Sequence, residues 1–216
     1  MNIPKGVEII LGSESPRRQS LLEKMNIQHR VELQSIEEKY DLRLQAEQIT
    51  DYLAQQKGKA FQDNQLSSNQ IVITADTIVW FEGNALGKPK NETVAKQMLL
   101  SLSGKTHRVI SSVCFTTLRQ QHTVHCFTDV RFTDLNEDIV AQYVATGSPL
   151  DKAGSYGIQD AFGLYAVEEI NGSYTNVMGL PCMQTYKALE ELVQDRLCIQ
   201  LFFSPLTQLL FVEINI

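Results

Sequence analysis

Cysteine is scarce in this sequence and never spaced as a pair. Cys114, Cys126, Cys182 and Cys198 include no CxxC, so neither a zinc knuckle nor a dithiol redox motif is suggested. Reduced, buried thiols in a cytoplasmic protein are the simpler expectation. Positive charge is also short: Lys and Arg total 19 against 25 Asp and Glu, a net charge of −6. That balance argues against a general binder of nucleic acid or of anionic membranes, so any anion site must be a local cluster of cations. Long apolar runs are missing. The stretch around Ile9 is short and broken by a turn, so no signal peptide is expected, and Pro205, Glu213 and several glutamines make the apolar tail after Val193 a poor membrane span. Repeats, low-complexity tracts and a linker long enough to divide the chain are absent too. What is present is a chain of 216 residues, 43% hydrophobic, enough to bury the core of one large domain or two small lobes.

Along the chain, helical and strand patterns alternate. Val7 to Leu11 reads as a short strand and "SPRRQSLLEKM" as a helix, with Ser15 as cap, Pro16 in the first turn and Leu21, Leu22 and Met25 on one face. "HRVELQSIEEKYD" suggests a strand entering an acidic loop. Thr50 is placed to cap a helix reaching about Phe61. "IVITADTIVWFEG" reads as an apolar strand, a carboxylate, and a second strand ended by the Gly83-Asn84 turn. Asn91 starts a further helix, His107 to Phe132 forms a long hairpin, and "NEDIVAQYVAT" is helical up to Gly147. "SPLDKAGSYGIQDAFG" has no period and reads as an ordered loop. "LYAVEEI" predicts one more strand, and a helix from about Met183 to Val193 follows. A hairpin inside a helix–strand alternation predicts a mixed α/β sheet with flanking helices.

The first helix poses a puzzle. A helix N-terminus already carries partial positive charge and unpaired N–H groups, yet Arg17 and Arg18 occupy its first turn. Something anionic is expected beside them. Asp76 follows Ile71-Val72-Ile73, a run fit for a strand buried on both faces, and ligands gather at the carboxyl ends of such strands. A carboxylate there can hold a metal or activate water, though an aspartate capping a turn would give the same sequence. Lys88, between Gly87 and Pro89, and Lys152, before a glycine-rich turn, sit where a merely solvated charge has no need to be. Lys57 and Lys59 lie late on the second helix, and Glu37 and Glu38 add nearby acids. Cations at a helix start and in restrained loops, with a few carboxylates, suit a polyphosphate and a hard divalent cation.

Other signals fail. "LSGKT" resembles the end of a P-loop, but Leu99 stands five residues before Gly104, where that motif requires glycine. "GSESP" is not GxSxG. His122 and His125 are three apart on an expected strand and so point to opposite faces, which disfavours a metal pair.

"LGSESPRRQSLL", "ITADTIVWFEGNALGKPK", "LSGKTHRVISSV" and "DKAGSYGIQDAFG…INGSYTNVMGLP" together resemble, in order, the Maf family of nucleoside triphosphate pyrophosphatases, from about Ile9 to Val193. The resemblance implies an elongated mixed α/β fold, two lobes around a cleft, related to the inosine triphosphate pyrophosphatase architecture. It implies hydrolysis of a nucleoside triphosphate to the monophosphate and pyrophosphate, assisted by Mg2+ or Mn2+. On this sequence Asp76 matches the catalytic proton acceptor, with metal binding as its other possible role, and Glu38 matches the metal-binding glutamate. Arg18, Lys57, Lys88 and Lys152 match phosphate-contacting positions, and Ser13 lies in the same loop. Arg17, Thr77 and Gln159 stand where branches of the family differ, and the set resembles the branch acting on dTTP and UTP. A glutamine amide answers both the N3–H donor and the carbonyl acceptors of uracil or thymine, where a glutamate would suit guanine.

The same resemblance leaves two alternatives: the same reaction on a modified purine such as 7-methyl-GTP, or a nucleotide-binding regulator of septum formation. A homodimer is possible. The sequence divides into a 1–193 pyrophosphatase-like part and an apolar 194–216 extension, expected to add a strand or hairpin or to serve as a dimer arm.

Overall fold

The structure is a computed structural model that describes residues 3–64 and 66–202, the last eight as backbone alone. Strand β1 (Glu8–Leu11) leads into α1 (Pro16–Lys24), and the short β2 (Arg30–Val31) follows. Ser15 caps α1 as expected, its side chain accepting from the Arg18 N–H at 3.4 Å. Then come α2 (Glu47–Asp63), β3 (Gln70–Phe81), β4 (Asn84–Leu86) and α3 (Glu92–Leu102), the last capped by Asn91. The hairpin is β5 (Thr106–Thr116) and β6 (Gln121–Phe132), followed by α4 (Glu137–Ala145) and two 3-10 turns, Ser148–Asp151 and Ala153–Ser155. The chain closes with α5 (Ala161–Ala166), β7 (Val167–Asn171), α6 (Tyr174–Val177) and α7 (Cys182–Phe202).

Seven strands make one mixed sheet ordered β2-β1-β3-β5-β6-β7, with β4 paired to β3. β1 runs parallel to β2 and β3, and all remaining pairings are antiparallel. Side chains alternate between the two faces. On one, Ile10, Val72, Ile78 and Ile110 pack against Phe61, Ile49 and Leu53 of α2. Gly58 lets that helix lie close, because a Cβ there would stand 2.1 Å from Thr116 Oγ1. On the other face two separate clusters form. Ile71, Ile73, Val113 and Phe115 pack under α1 and α7, while Val79, Val109, Val130 and Phe132 pack under α3, α4 and α5. The mixed α/β fold with flanking helices is as the sequence predicts.

Local differences have local causes. Asp76 does not divide two strands: β3 is continuous and pairs with β5 from Val72 to Trp80, because the carboxylate leaves the sheet face without disturbing the backbone ladder. Thr50 is not a cap. α2 starts at Glu47, and the buried Thr50 hydroxyl donates to the Glu47 carbonyl and meets Ser112 Oγ at 2.6 Å. "LYA" belongs to α5 rather than to the strand after it, since a short apolar run fits either. Beyond Val193, where a strand or hairpin is expected, α7 continues to Phe202, and the rest of the extension lies outside the described residues. Among the described residues, no helix is long and apolar enough to cross a membrane.

Candidate active site

The register of β3 creates the site. β1 pairs with β3 only up to Ile73, and β4 joins the same edge only at Val79. Between them the edge from Thr74 to Ile78 lacks a strand partner among the described residues, and a cleft of about 890 Å3 opens there. Ser13, Arg17, Arg18, Glu38, Lys57, Asp76, Thr77, Lys88, Lys152 and Gln159 all line it. Five cations (Arg17, Arg18, Lys57, Lys88, Lys152) face four acids (Glu14, Glu38, Asp76, Asp151) there, a local excess of positive charge on a protein of net −6.

Asp76 and Thr77 are neighbours in sequence but point to opposite faces of β3. Asp76 faces α2, whose Lys57 ammonium donates to its Oδ1 at 2.7 Å and also pairs with Glu38 Oε1 at 2.9 Å. The Asp76 side chain is only 11% exposed. Burial pushes its carboxyl above the ordinary aspartate range, more than the Lys57 and Arg18 charges pull it back. Burial works on Glu38 in the same sense, but the Lys57 hydrogen bond and charge outweigh it and hold that carboxyl low.

On the opposite face, Arg18 is clamped by oxygen atoms that carry no charge. Its Nε donates to the Gly179 carbonyl at 2.9 Å, Nη1 to Ser13 Oγ at 3.2 Å and to the Ala75 carbonyl at 3.0 Å, and Nη2 to Thr77 Oγ1 at 3.2 Å. Thr77 Oγ1 is also bonded to Ser111 Oγ at 2.9 Å. Burial lowers the guanidinium pKa from its ordinary value. Arg17 instead reaches across to Asp151, Nη1 to Oδ2 at 3.0 Å. One partner of the two first-turn arginines is therefore a protein carboxylate.

Lys152 is buried, and its ammonium is held by the Ser148 carbonyl at 2.5 Å, Ser148 Oγ at 3.0 Å and Asp151 Oδ1 at 2.6 Å. Gly154 and Ser155, at φ +68° and +66°, are both left-handed in this turn, and the Gly154 N–H donates to the Gly87 carbonyl. Gly87 itself does not serve close approach, because a Cβ there would meet nothing within 4 Å. Lys88 and Gln159 are exposed on the cleft wall and make no hydrogen bond or ion pair with a described residue.

Sequence reasoning missed Asp151, which joins Arg17 to Lys152; its place beside Lys152 was the available signal. It also missed Gly179, which lies in the quoted "NVMGLP" stretch but whose carbonyl is 161 residues from Arg18, a pairing that no local pattern signals. The two histidines of β6 do not converge, His122 lying near Phe115 and His125 near Asp51.

The arrangement defines a class: an α/β protein with a cation-rich cleft at the open edge of a central strand and a buried carboxylate on its floor. The family model described as Maf-like protein matches residues 8–192, and the chain belongs to the Maf family. It is 46% identical over 189 residues to a "dTTP/UTP pyrophosphatase" of Flavobacterium johnsoniae, covering 88% of this chain and 97% of the relative. A protein of the same name from Phocaeicola vulgatus is 47% identical over 186 residues, covering 86% of this chain and 96% of that one. A solved HAM1 protein from Coxiella burnetii aligns with TM-score 0.49 and 12% identity over 86% of this chain and 99% of that one.

Proposed function

We propose that the protein hydrolyses dTTP and UTP to the monophosphate and pyrophosphate. The observation that carries this reading is the gathering of all ten residues matched to the family's site in one cleft, in a chain whose relatives bear that name. Asp76 orients a water molecule and takes its proton as oxygen attacks the α-phosphorus and the bond to the pyrophosphate oxygen breaks. Its desolvated setting supports this, because a carboxylate with a raised pKa is the stronger base. Lys88, unpaired with any described residue, and Lys57 and Arg17, each tied only to acids, are suited to meet the phosphates. Arg18, which gives four of its five N–H donors to the protein, and Lys152, which gives all three, act by holding the cleft walls in place.

Asp76 and Glu38 fit a divalent cation, since one oxygen of each already shares a single cationic partner and both are the hard donors that Mg2+ and Mn2+ take. Such an ion would offset charge on the leaving pyrophosphate. Among the described residues no group of three or more metal-ligating side chains stands together, which suits a metal shared with substrate phosphates. Gln159 offers both an amide donor and an acceptor to a pyrimidine edge. Thr77 has its hydroxyl engaged by Arg18 and Ser111 and marks specificity through their positions. A cytoplasmic setting accords with the free thiols of Cys114, Cys126 and Cys182.

The test is pyrophosphate release from dTTP, UTP, CTP, GTP, ATP and 7-methyl-GTP with Mg2+ or Mn2+, wild type beside Asp76→Asn. Preference for dTTP and UTP, lost in the variant, is expected. Activity confined to 7-methyl-GTP would overturn the substrate assignment, and binding without turnover would overturn the enzyme.

A further inference from the structure

We propose that Lys57 is an exchangeable cation that makes metal and nucleotide bind as a coupled pair. It holds Asp76 and Glu38 together while the cleft lacks a metal, and moves to the phosphates when a divalent cation takes its place. The inference rests on the function proposed above and concerns how that site is loaded.

Two carboxylates so close to a shared point repel each other unless a cation lies between them, and Lys57 is that cation, at 2.7 Å from Asp76 and 2.9 Å from Glu38. Arg18 does not take over the role, because its side chain lies on the opposite face of β3, with four of its five N–H donors given to Ser13, Ala75, Thr77 and Gly179. The position is therefore given up only to another cation. An ion bound at about 2.0–2.1 Å to the same oxygens leaves no room for the ammonium between them. Lys57 must then find a new anion, since its side chain is only 17% exposed and a buried, unpaired ammonium is costly. The triphosphate is that anion. Metal alone has to expel Lys57 with nowhere to send it, and nucleotide alone meets a lysine already neutralised. Each ligand thus favours the other, and linkage makes the effect reciprocal.

The test measures Mn2+ binding without nucleotide, following the free-ion signal by electron paramagnetic resonance. Removing a cation from the site by Lys57→Met is expected to tighten Mn2+ binding at least about tenfold. The gain should vanish in Lys57→Met/Glu38→Gln. Unchanged or weaker binding overturns the proposal, and Lys57→Gln gives the same reading should the methionine variant not fold. In the wild type, labelling of Lys57 by an amine-reactive ester, read by peptide mass, should rise on adding Mn2+; no change would equally overturn it. Neither readout needs turnover. A protein that releases no pyrophosphate from any triphosphate would refute the proposed reaction and leave this exchange standing or falling on its own.

Discussion

The two faces of β3 treat a buried charge in different ways. Facing α2, Asp76 and Glu38 are balanced by one lysine, charge against charge. Facing α1, Arg18 is held by two carbonyls and two hydroxyls. A charge countered by another charge can be released when a competing ion arrives. A cation wrapped in neutral oxygens of four different residues has no partner that a ligand can replace. The first arrangement suits chemistry and the second suits a fixed wall. One strand supports both because successive side chains alternate across the sheet.

Asp76→Asn should break this contrast most sharply. Turnover should fall by about 10³-fold or more, as expected for loss of a positioned base. Stability should move the other way. Because the folded-state pKa of Asp76 is raised, the folded chain holds that proton more readily than the unfolded chain, and stability falls as pH rises through the window above the ordinary aspartate value. At neutral pH the ionised carboxylate is therefore a cost, and the variant should melt higher, with the gap closing towards acid pH in scanning calorimetry.

On the clamp face, Arg18→Ala should lower stability by about 2–4 kcal/mol by stranding the Ala75 and Gly179 carbonyls, as read by urea unfolding. Arg18→Lys should recover little, for an ammonium lacks the planar fork.

His107 lies on the same face, buried, with its Nε2 2.8 Å from Tyr156 Oη, and burial lowers its pKa to about 4. The unfolded chain takes up that proton first, so stability should fall as pH drops from 6.5 towards 4, by about 3 kcal/mol in all. His107→Phe should flatten that slope in pH-dependent unfolding.

The smallest effect is expected at Gln159, where nothing of the protein depends on the amide. Gln159→Glu should lower the kcat/KM ratio of UTP to 7-methyl-GTP by about 10–100-fold with the melting temperature unchanged.

The sequence named ten residues that the structure brings to one cleft. The ten residues matched to the family's site line the cleft, while Lys59 and Glu37, which the sequence placed beside them, do not. What each residue does was less legible. Lys57 and Lys152 look alike as restrained lysines, but one bridges two cleft acids and the other is bound into its own loop. Thr77 and Gln159 were both expected, from the resemblance, to stand where branches of the family differ, yet of the two only Gln159 presents a free polar group.

The locally encoded parts follow from short stretches of sequence. Ser15 and Pro16 start α1, Asn91 starts α3, and the apolar run before Asp76 makes a central strand. These depend on groups a few residues apart. It takes the folded chain to end the pairing of β1 with β3 at Ile73 and start that of β4 at Val79, leaving an open edge, and to bring Arg17 to Asp151 and Arg18 to Gly179. A hydrogen bond is chosen by distance in space, and the residues that complete this site are up to 161 positions apart along the chain.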